Sequence, residues 1–64
     1  MVVNGKDMEL YEETTVYELL KKLNIESNKV VVEVDLEIVD KNEYKRKKLS
    51  SDSKVEIIRF VGGG

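Results

Sequence analysis

Residues 14–24, TTVYELLKKLN, predict a helix and, through it, the kind of fold. Thr15 and, three residues later, Glu18 have the spacing of a capping box, which marks the start of a helix, and Asn24 can close its end. Four apolar residues follow the spacing i, i+3, i+4, i+7 and form one apolar face: Val16, Leu19, Leu20 and Leu23. A helix of about ten residues is not stable alone in water, so this face must pack against a sheet.

The sequence on both sides of the helix predicts the strands of that sheet. Asn4-Gly5 stands between two short β-type runs and is a strong hairpin signal. The predicted strands are Met1–Asn4, Asp7–Tyr11, Val30–Val34, a short strand or turn at Leu36–Val39, and 54–61, with one helical turn near Asn42–Tyr44. This order favours an α+β domain over residues 1–61, in which one helix packs across a mixed four- to five-stranded sheet.

The two longest predicted strands indicate an exposed apolar surface. Val55 and Ile57 alternate with charged residues and should face the helix, and the same alternation puts Ile58 and Phe60 on the open face. In the strand 30–34, Val31 also falls on the open side. We therefore expect Val31, Ile58 and Phe60 to form a patch of the kind that marks interaction surfaces. A twist or bulge that turns one of them inward is the alternative.

The composition excludes several kinds of site. The chain has 64 residues with no cysteine, histidine or tryptophan. It therefore has no disulfide, no thiolate metal site, and no Cys–His or Ser–His pair. None of its hydroxyl side chains has a candidate base beside it in the sequence, which argues against a self-contained enzyme with catalytic residues of its own.

Charge and hydropathy argue against nucleic-acid and membrane partners. Charged residues make up 38% of the chain and the net charge is -2, which is typical of a mixed-charge surface. The basic run KRKK, residues 45–48, is predicted to be a solvated loop, with a partner-facing patch as the alternative. No signal-peptide or membrane-spanning pattern occurs, so we expect a cytoplasmic protein.

The sequence closes with Gly62, Gly63 and Gly64 directly after the last strand. We expect residues 62–64 to be a flexible tail, since glycine lacks a side chain and orders poorly. The α-carboxylate of Gly64 is then the candidate reactive group, and it becomes an electrophile only after activation, for example as an acyl-adenylate formed with ATP. Glycines suit such chemistry because they can enter a narrow channel in another protein. A frayed or incidental end is the alternative.

These segments together resemble the ThiS family of thiamin-biosynthesis sulfur carrier proteins, which have the ubiquitin-like β-grasp fold. The resemblance covers essentially the whole chain. It is carried by VNGK near the start, TVYELLKKL in the helix, VVVEVDLEIV in the middle, Tyr44, and SSDSKVEIIRFVGGG at the end. No single motif is decisive, since Gly-Gly ends are shared by ubiquitin-like carriers, but the set in this order and at this length is specific.

The resemblance implies a carrier and not an enzyme. A ThiF-like adenylyltransferase would activate the carboxylate of Gly64 with ATP and Mg²⁺, and a cysteine desulfurase would supply the sulfur of a thiocarboxylate. A ThiG-like thiazole synthase would then take that sulfur to form the thiazole ring of thiamin. The carrier itself would bind no cofactor and no metal.

The resemblance also implies roles for particular residues. Gly63 and Gly64 match the terminal pair of the family, and Gly62 lengthens the tail by one residue. The apolar patch, with Val61 beside it, falls where ubiquitin-like proteins meet their partners. The chain departs from the family at two turns, where Ser51-Asp52 replaces a frequent Gly-Asp and Asp35 a frequent Asn.

Three other functions are compatible with the same residues. One is a sulfur carrier of the type found as the small subunit of molybdopterin synthase, although such chains usually run longer. The second is a ubiquitin-like modifier, which would end in an isopeptide bond to lysine. The third is a β-grasp domain that binds its partner without covalent chemistry, in which case the glycines have no chemical role.

Overall fold

A computed structural model describes residues 1–9 and 13–60 of the chain. In this part of the chain a seven-residue helix packs across one face of a five-stranded sheet. The elements are β1 (Val2–Val3), β2 (Lys6–Asp7), β3 (Thr14–Thr15), α1 (Val16–Lys22), β4 (Val30–Val34), β5 (Glu37–Val39), β6 (Lys48–Leu49) and β7 (Lys54–Arg59), with 3₁₀ turns at Ser27–Lys29 and Lys41–Glu43.

The main sheet has the strand order β2-β1-β7-β4-β5. Strands β1 and β7 are parallel, and the other neighbours are antiparallel, so the sheet is mixed as predicted. β7 lies at the centre of the sheet, with Val55 opposite Val34 and Arg59 opposite Val30. Because the central strand is also the last one, the chain leaves the sheet from its middle, beyond Arg59.

The helix has the predicted capping residues at both ends, but its seven residues are fewer than the predicted ten or so. The backbone N–H of Glu18 donates to Thr15 Oγ1 at 3.1 Å, and the N–H of Thr15 donates to Glu18 Oε1 at 3.0 Å, which is the capping box. Asn24 has φ of 62°, and the N–H of Ile25 donates to the carbonyl of Leu20 at 2.8 Å, as in a Schellman motif. Within residues 1–9 and 13–60, no helix is long and apolar enough to cross a membrane.

The core lies between α1 and the face of the sheet that α1 covers. Three of the four residues of the predicted apolar face are buried to 1% exposure or less, and Leu23 at the end of the helix is half-buried. The buried apolar residues are Val3, Val16, Leu19, Leu20, Val30, Val32, Val34, Tyr44, Leu49, Val55 and Ile57. The opposite face of the main sheet, which α1 does not cover, is called the open face below.

The first hairpin is confirmed, with a shift in its second strand. Val3 pairs with Lys6, so the turn consists of Asn4 and Gly5, with φ of 50° and 82°. Positive φ at both positions is what a type I′ turn requires, and Asn-Gly tolerates it. The second strand therefore starts at Lys6 and not at Asp7, and its predicted end at Tyr11 lies outside the described residues.

A second, two-stranded sheet is absent from the sequence prediction. β3 pairs antiparallel with β6, with Thr14 opposite Leu49 and Thr15 opposite Lys48. Strands of two residues show no alternation, and this pairing joins segments more than 30 residues apart, so local patterns did not reveal it. The pairing ties the N-terminal end of α1 to the basic segment that precedes β7.

Candidate functional site

The predicted apolar patch lies on the open face. Val31 in β4 and Ile58 in β7 are directly opposite each other across the strand pair. Ile58 is 48% exposed and Val31 is half-buried, while their neighbours Val55 and Ile57 are buried on the covered face. The alternation predicted from the sequence is therefore confirmed, and no bulge turns Ile58 inward.

Phe60 extends this patch at the end where the chain leaves the sheet. Its backbone N–H donates to the carbonyl of Lys29 at 3.1 Å, so the β4–β7 pairing continues one step past Arg59. Its ring is 56% exposed, and Lys41 Nζ lies 5.6 Å from the ring centroid in a cation–π contact. Val31, Ile58 and Phe60 are called the open-face patch below.

The remaining predicted site residues lie outside the described part of the chain. They are Val61, Gly62, Gly63 and Gly64, and their roles stay predictions. The structure describes the residue that precedes them, Phe60, whose backbone is hydrogen-bonded to Lys29.

Charged side chains lie along the open face. Near Phe60, the exposed cations of this face are Lys29 and Lys41, since Arg59 alternates to the covered side. Toward the other end of the sheet, Glu33 and Glu56 lie directly opposite each other in the β4–β7 pair. Among the described residues, neither glutamate takes part in a salt bridge. Like charges in opposite positions are unfavourable for the fold, so this pair is not explained by stability.

Two turn side chains hold β7 in place, and sequence analysis did not identify them. Asn4 Oδ1 accepts a hydrogen bond of 2.7 Å from the backbone N–H of Ile57. Asp35 Oδ1 accepts one of 3.0 Å from the N–H of Lys54. Both residues have positive φ, which Asn and Asp tolerate better than most residues. These two bonds fix the strand that carries the open-face patch.

Two further exposed apolar residues lie on the β4–β5 hairpin, and sequence analysis missed them too. Leu36 is 82% exposed and Ile38 is 70% exposed, both more than any residue of the open-face patch. Ile38 is opposite Glu33, so it shares the open face. The sequence predicted a short strand or turn at Leu36–Val39, whereas the structure places Leu36 in the turn that precedes β5.

The basic run 45–48 lies between the helix and the edge of β5, where residues 46–48 line a groove with Ile38. Lys45 Nζ lies 4.9 Å from the ring centroid of Tyr17, Arg46 forms a 2.6 Å salt bridge to Glu43, and Lys48 forms one of 3.0 Å to Glu13. All four side chains of the run are exposed, as expected of a solvated segment, but Lys48 belongs to β6 and not to a loop.

Among the described residues, Tyr44 is the titratable side chain whose pKa is shifted. Burial raises the pKa of the Tyr44 phenol above its ordinary value, and a hydrogen bond with the Val32 backbone opposes that shift. Tyr44 is 3% exposed and packs in the core, so it does not face a substrate. Within residues 1–9 and 13–60, no group of three or more acidic side chains is arranged to hold a metal ion.

Known proteins similar to this chain share both its sequence and its fold. The thiazole synthase of Paramagnetospirillum magneticum is 41% identical over the whole chain, which spans only 20% of that protein. The sulfur carrier protein ThiS of Bacillus subtilis is 38% identical over 63 residues, covering 97% of this chain and 96% of the relative.

A solved structure gives the same result. The crystal structure of the thiamine biosynthesis protein ThiS from Geobacter metallireducens superposes with a TM-score of 0.84, at 30% identity, over 98% of this chain and 96% of that one. Its sheet and helix match the mixed five-stranded sheet and single helix seen here. A model of the ThiS family matches residues 1–64. The chain belongs to the ThiS family and has the ubiquitin-like β-grasp fold.

Proposed function

We propose that this protein is the sulfur carrier of thiamin biosynthesis and that the α-carboxylate of Gly64 carries the sulfur. The observation that supports this most strongly is the match to the ThiS family over residues 1–64, together with three closing glycines. The protein is then a co-substrate of other enzymes. It has no cysteine, which fits a carrier whose sulfur is bound to the carboxyl carbon and not to a thiol.

The activation step requires a partner. A carboxylate is ionised at neutral pH and is a poor electrophile, because its usual pKa is about 3.5. A ThiF-like adenylyltransferase binds ATP and Mg²⁺, and a carboxylate oxygen of Gly64 attacks the α-phosphate of ATP and releases pyrophosphate. A desulfurase draws sulfur from cysteine as a persulfide, whose terminal sulfur then attacks the acyl carbon and displaces AMP. A thiol cleaves the resulting acyl disulfide, releasing the thiocarboxylate and taking up the other sulfur as a disulfide. The product is a thiocarboxylate, which a ThiG-like thiazole synthase consumes.

The geometry of the described residues suits this role. The open-face patch offers the adenylyltransferase an apolar surface whose members Ile58 and Phe60 are about half exposed. In this proposal Val61 contacts the same partner, and the glycines at 62 and 63 allow Gly64 to enter its active site. Lys41, whose Nζ lies 5.6 Å from the centroid of the Phe60 ring, is placed to attract an anionic active-site mouth or nucleotide.

Intact-mass spectrometry tests the proposal. The protein is incubated with the adenylyltransferase, ATP, Mg²⁺, a cysteine desulfurase and cysteine. We expect the mass to rise by the difference between one sulfur and one oxygen atom, and an alkylating reagent should then label the thiocarboxylate. A variant lacking Gly64, and one extended beyond it by a tag, should keep the fold and show no change.

Two outcomes contradict the proposal. If only the unmodified mass is recovered while the same enzymes modify another carrier, the chain is not a sulfur carrier. If the tagged variant still transfers sulfur, the carboxylate of Gly64 is not the site. Attachment of the chain to lysine under the same conditions would instead favour a ubiquitin-like modifier.

A further inference from the structure

Leu36 occupies a position that is unfavourable for leucine in two respects. Val34 pairs with Glu37, so Asp35 and Leu36 form the two-residue turn of the β4–β5 hairpin. The φ of Leu36 is 72°, in the left-handed region, where a bulky side chain is strained and glycine is not. Its side chain is also 82% exposed to water. Neither the backbone nor the packing of the hairpin explains a leucine at this position.

Ile38 makes the exposed apolar surface larger. It lies on the open face, it is 70% exposed, and β5 is an edge strand of the main sheet. Ile38 is the middle residue of β5, opposite Glu33, and Glu33 is in turn opposite Glu56. A row of one apolar and two acidic side chains therefore crosses β5, β4 and β7 next to Leu36.

The two apolar surfaces of the open face lie at opposite ends of β7. Val55 is opposite Val34 near the β4–β5 hairpin, and Phe60 lies five residues further along, about 17 Å away at the usual rise of a strand. A standard protein interface of about 800 Å² per partner is about 30 Å across. One partner that holds the tail can therefore also cover Leu36 and Ile38.

The charges at the edge of β5 are mixed, because Ile38 lines one groove with acidic side chains and with the cations of residues 46–48. On the open face itself, the charges beside Ile38 are those of Glu33 and Glu56. These two glutamates, which repel each other in the free protein, would gain from cations of a partner that covers Ile38.

We propose that Leu36 and Ile38 form a second docking contact, which binds an apolar surface of the thiazole synthase that carries cations opposite Glu33 and Glu56. This inference rests on the proposed function. The choice of partner follows from the relative named thiazole synthase, in which a segment 41% identical to this chain occupies 20% of a single longer protein. A carrier-like segment and the remainder of a synthase thus occur in one chain there, which favours lasting contact between such surfaces.

A substitution at Leu36 separates docking from folding. Leu36→Gly removes the exposed side chain and relieves the positive φ, so we expect an unchanged or higher melting temperature. The same variant should bind the ThiG-like synthase about tenfold more weakly, the equivalent of about 1.4 kcal/mol. Ile38→Thr keeps a β-branched residue in the strand and should weaken binding in the same direction. Isothermal titration calorimetry against the synthase measures both.

Asn24→Gly is the matched control. Asn24 has φ of 62° and is exposed at the end of α1, on the other side of the sheet from the open face. This variant places glycine at another left-handed position, and we expect it to leave the affinity for the synthase unchanged. A similar loss of affinity in Asn24→Gly would show that the effect of Leu36→Gly is not local, and the proposal would be wrong.

The remaining outcomes each overturn the proposal in a different way. If Leu36→Gly binds the synthase as tightly as the original protein, no docking contact exists at the hairpin. If it weakens binding to the adenylyltransferase instead, or dissolves a homodimer seen by sedimentation, the occupant is wrong. If it lowers the melting temperature as a core substitution does, Leu36 is structural. Thiocarboxylate formation by the original protein is measured separately, so failure of the carrier function is distinguished from failure of the docking contact.

Discussion

Phe60→Asp tests whether the open-face patch contacts a partner or belongs to the core. Phe60 is 56% exposed, so folding buries a little under half of its surface. Full burial of such a side chain contributes about 1.5–3 kcal/mol, and the half-buried ring therefore contributes about 1 kcal/mol to the free energy of unfolding. The cation–π contact with Lys41 is lost, but the new carboxylate provides Lys41 with an ionic partner. For a domain of this size, about 1 kcal/mol lowers the melting temperature by about 4–8 °C.

The expected effect on binding is larger. An apolar side chain at the centre of an interface typically contributes 2 kcal/mol or more, and the variant would also bury an unpaired carboxylate. The dissociation constant for the ThiF-like adenylyltransferase should therefore rise by about 30-fold or more. Isothermal titration calorimetry measures the affinity, and thermal unfolding followed by circular dichroism measures the stability.

Two control variants make the result specific. Phe60→Leu keeps an apolar side chain and should bind within a few-fold of the original protein. Ser51→Asp adds the same charge at an exposed turn before β7, at the other end of that strand, and should affect neither quantity strongly. The reasoning is refuted if Phe60→Asp binds normally, or if it destabilises the protein as much as Leu20→Ala. Leu20 is 1% exposed, and its truncation should cost about 2–5 kcal/mol.

Three predictions concern the scaffold that carries the patch. Asn4→Ala removes the acceptor for the N–H of Ile57, so chemical unfolding should show a loss of about 1–3 kcal/mol, and Asn4→Asp, which keeps an acceptor, should lose less. Equal losses would show that the 2.7 Å bond is unimportant. Thr15→Ala removes the helix cap and should lower the free energy of unfolding by about 0.5–2 kcal/mol, whereas Thr15→Ser keeps the hydroxyl and should retain most of it. Equal stability of the two variants would contradict the capping role. Burial raises the pKa of Tyr44, so the folded state favours its neutral form. The stability that this preference contributes is complete below about pH 10, the ordinary pKa of tyrosine, and is lost as the pH rises through the raised pKa. Tyr44→Phe should remove that alkaline loss in pH-dependent unfolding, and an unchanged pH profile would refute the assignment.

Local patterns predicted most of the fold because its main signals are short in range. The capping box at Thr15 and Glu18, the left-handed end at Asn24, and the type I′ turn after Val3 each depend on residues within one turn of chain. The alternation along 54–58 predicted which side chains of β7 face the helix, since side-chain direction follows directly from the pleat of a strand.

The features that sequence analysis missed depend on contacts between distant residues. The pairing of β3 with β6, and the hydrogen bond from Ile57 to Asn4, join segments that are far apart in the chain. The exposure of Ile38 depends on β5 being an edge strand and on its side chain pointing to the open face, which strand order and register decide. Leu36 is exposed because the same register places it in the turn and not in a strand.

The amino-acid sequence by itself therefore determined the helix, the principal strands, the absence of thiol and imidazole chemistry, and the glycines that the proposed function depends on. These follow from residue type and spacing. Only the tertiary structure decided that β7 lies at the centre of the sheet, that Ile58 is opposite Val31, and that Glu33 is opposite Glu56. Those relations arise from the register of strands brought together by folding, and register between distant segments is not encoded in any local pattern.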